Sequence, residues 1–193
     1  MSVDKLAWLV QSRKCFDSAN AFNVTNTGNQ GNLNATVVGS DYNNRIGRAI
    51  HNRALSLRLV LSGQAATVIQ DQFIRVILYY DLQPVISPPT GTDILTSVLI
   101  SSHTNFLTKN RFTILLDKVF IFPYRQTTAA LPVLSSDVVM KYHEEIIPLD
   151  LPTIYGNNSI FITGGIGYFA FGTVASPSGI TASISTRLFF DDT

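Results

Sequence analysis

The side chains able to do chemistry in this 193-residue chain are few and badly spaced for catalysis. His143-Glu144-Glu145 sets an imidazole beside two carboxylates. It lacks the H-E-x-x-H spacing that places two imidazoles on one helical face around zinc. His51 and His103 have no partner at ligand spacing and read as satisfied polar residues. Cys15, the single cysteine, has no histidine near it in sequence. A thiol nucleophile there would need a base delivered by the fold. One cysteine also excludes an intrachain disulfide and a cysteine-rich metal site. Gly164-Gly165-Ile166-Gly167 lacks the Lys-Ser/Thr ending of a phosphate loop. Glycines inside a strand more often mark a bulge or close packing. Asp191 and Asp192 are the carboxylate pair that a hard divalent cation could use at a subunit contact, with a solvated terminus as the plainer reading. The expectation is therefore no enzyme, no cofactor and no metal beyond that weak pair.

The basic residues suggest a different chemistry. Arg45, Arg48, Arg53 and Arg58 occupy one short span, and Arg13 and Lys14 lie near the N-terminus. These six are the candidate contacts to nucleic-acid phosphates. The competing reading is the polar side of a strand, or pairing with acids across an interface. Trp8, Phe16 and Phe22 could stack on bases, but packing in a core or interface explains them as well. Net charge is only +1, which excludes a polybasic binder.

Charged residues make up 14% of the chain, against roughly 25% in an average soluble domain. Surface hidden against other subunits accounts for such a deficit, helped by abundant Ser, Thr and Asn. The length fits one domain. The apolar run Leu6 to Val10 is too short for a secretory signal, so the sequons at Asn23, Asn34 and Asn157 read as coincidence. Leu151 to Thr186 carries no charge. The glycines crowding it favour buried strand over a spanning helix.

The elements that must position these residues are strands. In QFIRVILYYDLQP, residues 72–84, Ile74, Val76, Leu78 and Tyr80 share one face, and Phe73, Arg75, Ile77 and Tyr79 share the other. This strand should lie deep in a sheet, with Asp81 capping backbone N–H groups at its end. Leu55, Leu57, Leu59 and Leu61 alternate in a strand over 49–62. Further strands are expected at 33–38, 111–123, 137–148, 159–172 and 180–190. In 111–123 the residues Phe112, Ile114, Leu116, Phe120 and Phe122 are read as one face. In 180–190 the residues Ile180, Ala182, Ile184, Leu188 and Phe190 point inward. Charges on both faces of 137–148 predict an edge or interface strand. A short helix is expected from an N-cap at Thr92, with Ile94, Leu95, Val98 and Leu99 at helical spacing. Another could run from Asp4 to Lys14, and residues 20–32 read as loop. The sum is an all-β, single jelly-roll sandwich of eight antiparallel strands with one short helix in a long loop. Residues 1–32 form a partly irregular N-terminal segment and 33–193 the shell domain.

Five segments carry a resemblance: LNATVVGSDYNNRIG at 33–47, RVILYYDLQP at 75–84, TDIL at 92–95, NRFTILLDK at 110–118 and RLFFDD at 187–192. In order and spacing the chain resembles the capsid proteins of small circular single-stranded DNA viruses, the circovirus-like group. The resemblance spans residues 33 to 192. It implies a jelly roll that self-assembles into a small icosahedral shell of about sixty identical copies. That shell would enclose circular single-stranded DNA, in a virion assembled inside the host cell, the nucleus being one compartment open to it. Arg75, Arg111 and Asp117 match family strands and read as structural. The chain departs from the family in one respect. Such proteins usually begin with an Arg/Lys-rich arm, whereas residues 1–44 hold only Lys5, Arg13 and Lys14. DNA contact from this chain is therefore expected to be weak, since salt-sensitive affinity scales with the phosphates neutralised. No membrane insertion is expected, and the host receptor is open. The alternative is a jelly-roll module that binds carbohydrate or a receptor without forming a shell.

Overall fold

The computed structural model describes residues 14–64, 71–84, 88–123, 138–156, 160–175 and 179–193. Among these described residues nine strands follow in chain order: β1 (Lys14–Asn23), β2 (Asn29–Asn32), β3 (Ala49–Gln64), β4 (Gln72–Asp81), β5 (Phe112–Phe122), β6 (Val138–Tyr155), β7 (Phe161–Thr163), β8 (Gly165–Gly172) and β9 (Ile180–Asp192). A single helical turn, α1 (Gly91–Ile94), and a 3₁₀ turn (Phe106–Thr108) lie between β4 and β5.

The strands form two sheets in the orders β1-β9-β3-β6-β7 and β2-β8-β4-β5. Every strand pairing in them is antiparallel. With β7 set aside as a short edge addition, the order is that of a jelly roll, in which the chain crosses repeatedly between two facing four-stranded layers. The all-β, two-layer expectation is met.

The core lies between the layers. Leu55, Leu57, Leu59 and Leu61 of β3, Ile74, Val76, Leu78 and Tyr80 of β4, and Ile180, Ala182, Ile184, Leu188 and Phe190 of β9 all point into it and are buried. This is the alternation read from the sequence. Period two holds wherever one face of a strand is buried, because a slip of one residue would turn every leucine to water. The other face of β4 is covered too. Ile77 and Tyr79, with Phe169 and Phe171 of β8, are capped by Ile94, Leu95, Val98 and Ile100 from the long β4–β5 connection. The second sheet is thus covered over part of its outer face as well, whereas the outer face of the first sheet carries no such layer among the described residues.

Several expectations are corrected. Strand pairing is already present upstream of Leu33: β1 pairs with β9 from Lys14↔Phe190 to Asn23↔Thr181, and β2 pairs with β8. Polar Asn and Gly residues occupy these strands because they are edge strands with one wet face, so their composition looks like loop. Residues 33–38 are not a strand. Leu33, Asn34 and Thr36 are buried as single anchors instead. Asn34 donates to Thr153 Oγ1 and to the Gly164 carbonyl and accepts from the Ile166 N–H. Its sequon is therefore inaccessible in the fold. The helix cap is Thr90, in a reciprocal capping box with Asp93, and Leu95 is already extended. In β5 a bulge at the Leu78/Tyr79 step splits the expected single face. Phe112 and Ile114 pack in the outer cluster, whereas Leu116, Phe120 and Phe122 pack in the central core. Strand β6 runs through Pro148 and Pro152 to Tyr155. An edge position tolerates prolines, since their missing N–H leaves no inner ladder broken. The expected helix at 4–14 falls at residues 4–13 outside the described residues, and Lys14 is strand.

Candidate nucleic-acid face and assembly surfaces

Arg45, expected to face DNA, is 1% exposed. Its guanidinium lies 4.2 Å from the centre of the Tyr155 ring and donates to the carbonyls of Thr36 and Gly47. Tyr155 in turn donates to the Asn34 carbonyl at 2.6 Å and accepts from Thr36. Burial pushes its phenol up to about 12. Arg45 therefore pins the 33–47 loop to the end of the sandwich and presents no charge to a ligand.

Lys14, Arg53, Asp191 and Asp192 meet at one end of the first sheet. Lys14 bridges Asp192 at 2.8 Å and donates to the Asn44 carbonyl. Arg53 bridges Asp191 at 2.7 Å and approaches Asp150, which also holds His51 at 2.5 Å. The carboxylates read as possible cation ligands are thus engaged by the cations read as possible DNA contacts. No cluster of three or more His, Cys, Asp or Glu suited to a metal occurs among the described residues. Arg48 is exposed on the approach to β3. Arg13 lies outside the described residues.

Arg58, like Arg48, stays exposed. It points outward from β3 and is paired with Glu144 at 2.9 Å. Its neighbour Arg187, on β9, is paired with Asp17 through two bonds of 2.7 Å. The Arg187 guanidinium holds the Asp17 carboxyl below its ordinary value. The Tyr142 hydroxyl and Arg58 do the same for Glu144. Arg58 and Arg187 flank a depression of about 290 Å³ that Ser56 and Ser185 also line. Only the β3–β9 register brings Arg187 beside Arg58.

The residues expected to be structural are so. Arg75, largely buried, grips Asp117 with two bonds of 2.8 and 2.6 Å and donates to the carbonyls of Ile100 and Ser102. Arg111 grips Asp81 in the same two-bond manner, and Asp81 also accepts from the Gln83 N–H. His143 sits between Lys118 and Glu145, joining β5 to β6 where the two layers meet at their open edge.

Large apolar side chains remain exposed in patches. Phe106 and Leu107 project from the 3₁₀ turn, Leu107 being 91% exposed. The turn is held rigid: the Asn105 side chain accepts from the Leu107 N–H, and Thr108 donates to the Asp93 carbonyl. Val138, Met140 and Tyr142 line the outer face of edge strand β6, and Phe73, Val119 and Ile121 lie on the second sheet.

A jelly roll of this kind serves viral shells, lectins and cupins alike. A polar sheet face with rigid apolar projections and no catalytic cluster among the described residues fits a shell subunit. Comparison with known families decides the class. Residues 8–144, well over half of the chain, match the family model of the satellite tobacco necrosis virus coat protein, and the chain belongs to that family. It is a viral coat protein, a structural component of a virion. The match is to this family and not to the circular single-stranded DNA group that the five segments resemble. No curated protein matches the chain. Among solved structures it is similar to a chain of Desmodium yellow mottle tymovirus, at 8% identity and a TM-score of 0.33, over 92% of this chain and 86% of that one.

Proposed function

We propose that the chain assembles with copies of itself into a closed icosahedral shell of about sixty subunits around a single-stranded nucleic-acid genome. Family membership supports the shell. The physical support is the Phe106–Leu107 projection on a hydrogen-bonded turn: two large apolar side chains exposed to water are a cost to a lone subunit and an anchor to an assembled one. The low charge content agrees, since much of the outer surface would be covered by neighbours. The five segments at 33–47, 75–84, 92–95, 110–118 and 187–192 favour circular DNA as the genome. Nothing in the family match speaks for DNA over RNA, so that part rests on those segments alone. Lys14, Arg48, Arg53 and Arg58, with Arg13, remain the contacts proposed from the sequence. Arg45 is withdrawn from that group because its charge is buried.

Electron microscopy and size-exclusion chromatography of the purified chain test the shell. Uniform hollow particles are expected, and a stable monomer at high concentration overturns the reading. Nucleic acid extracted from particles and digested separately with DNase and RNase decides the genome type. Loss to RNase alone rules out DNA.

A further inference from the structure

We propose that the outer face of the β1-β9-β3-β6 sheet is a binding track for single-stranded nucleic acid, with Arg187 and Arg58 taking phosphates and Tyr42 and Tyr142 stacking bases. The proposal rests on the shell reading above and turns this face toward the interior. Its basis is a diagonal line set by the register. Tyr42 sits over the end of β1, its hydroxyl 2.8 Å from Cys15 Sγ. Arg187 follows on β9, opposite Asp17, and Arg58 on β3, opposite Ser185. Tyr142 follows on β6, opposite Val60. The steps from Arg187 to Arg58 and from Arg58 to Tyr142 each move one strand across and two residues along, which separates those neighbours by about 7–8 Å, while Tyr42 joins the line from the loop that covers Cys15. Tyr42 and Arg187 lie within electrostatic reach of each other, as do Arg58 and Tyr142. Both tyrosines are about 60% exposed (59% and 60%).

The surroundings suit a flexible polyanion. Small side chains flank the line: Ala19, Ser56, Ser183 and Ser185 leave a trough instead of a wall. The two arginines sit inboard and the acids that balance them outboard, Asp17 on β1 and Glu144 on β6. Asp17 occupies Nε and Nη2 of Arg187, and Glu144 occupies Nε of Arg58. Nη1 of Arg187 and both Nη groups of Arg58 have no hydrogen-bond partner among the described residues. The middle of the trough therefore offers guanidinium donors beside serine hydroxyls, and a phosphate placed there relieves the repulsion between two like charges. Aromatic rings at the ends and cations between them form the pattern that binds single strands without reading sequence. Repetition of a weak site around a shell makes the total binding strong.

The test is fluorescence anisotropy of the full-length chain with labelled 20-nucleotide oligothymidylate and oligouridylate across a salt series. Combining Arg58→Ala with Arg187→Ala should lower affinity at least tenfold. It should also reduce the slope of log K against log salt by about 1.4, two phosphates at ~0.7 each. Tyr42→Ala and Tyr142→Ala should each cost about fivefold or more with the slope unchanged, and Tyr42→Phe and Tyr142→Phe should restore binding. Asp17→Asn and Glu144→Gln should bind more tightly than the unaltered chain, a gain that a purely structural role for these pairs does not produce. If the arginine variant misfolds, the acid variants alone decide. Particles that form normally, together with unchanged affinity and slope in the arginine variant or no gain in either acid variant, overturn the track and leave the shell reading standing. Absence of particles from the unaltered chain overturns the shell reading itself.

Discussion

At the scale of single residues, the chain uses its few charges mostly for holding itself together. Arg75 is the clearest case. Its fork fixes β5 through Asp117 and the covering connection through two carbonyls. Arg75→Ala should destabilise the fold by about 2 kcal/mol, because the two-bond link to the partly exposed Asp117 is broken and two carbonyls lose their donor. Arg75→Lys should recover only part of this, since an ammonium cannot make both carboxylate bonds in one plane. Chemical denaturation of the three proteins measures it, and equal stability of the Lys variant and the unaltered chain would refute the fork's role. Arg45 teaches the same lesson from the other side. In sequence it stands in a basic cluster; in space it belongs to Tyr155 and the loop carbonyls. No property of the letter R distinguishes a buried pin from a ligand contact.

At the scale of elements, alternation made the inner strands legible and left the outer ones obscure. Strands β3, β4 and β9 were readable because each buries a full face of large aliphatic residues. Strands β1 and β2 were not, because they lie at edges and carry Asn, Ser and Gly that also suit loops. The two long edge strands β5 and β6 face each other where the sandwich opens, and the Lys118–His143–Glu145 group closes that opening. Lys118 pulls the Glu145 carboxyl below its ordinary value of 4.5. A carboxyl lowered in the folded state stabilises above its unfolded value and loses that contribution as pH falls through the lowered one. The group is partly exposed, so its contribution is at most about 1 kcal/mol. Thermal melts should show the closure fully present at pH 6 and fading below about pH 4.5. Glu145→Gln should begin less stable and decline less over the same range. Parallel declines in the two proteins would remove Glu145 from the account.

At the scale of the whole molecule, the proposed shell requires surfaces that a solitary domain has no use for. Phe106 and Leu107 are the sharpest of these. Combining Phe106→Ser with Leu107→Ser should leave the melting temperature within a few degrees, because exposed side chains away from packing contribute little to folding. The same change should abolish or greatly weaken particle formation by removing anchor residues from a contact. Chromatography and microscopy of the variant separate the two effects. Particles formed at unaltered concentration would place the main contact elsewhere, with the Val138–Met140–Tyr142 edge as the next surface to vary.

The chain's letters alone determined its class. A run of strands with periodic aliphatic faces, long crossing connections, scarce charge and no catalytic spacing leads to a two-layer β domain that hides its flanks, and the family match agrees on a coat protein. What the letters could not determine was which charges face which. Arg58 and Arg187 are 129 positions apart in the sequence, and only the pairing of β3 with β9 makes them neighbours. Alternation within a strand is a local property, set by which face avoids water. Register between strands is set by the packing of the whole core, and only folding completes it.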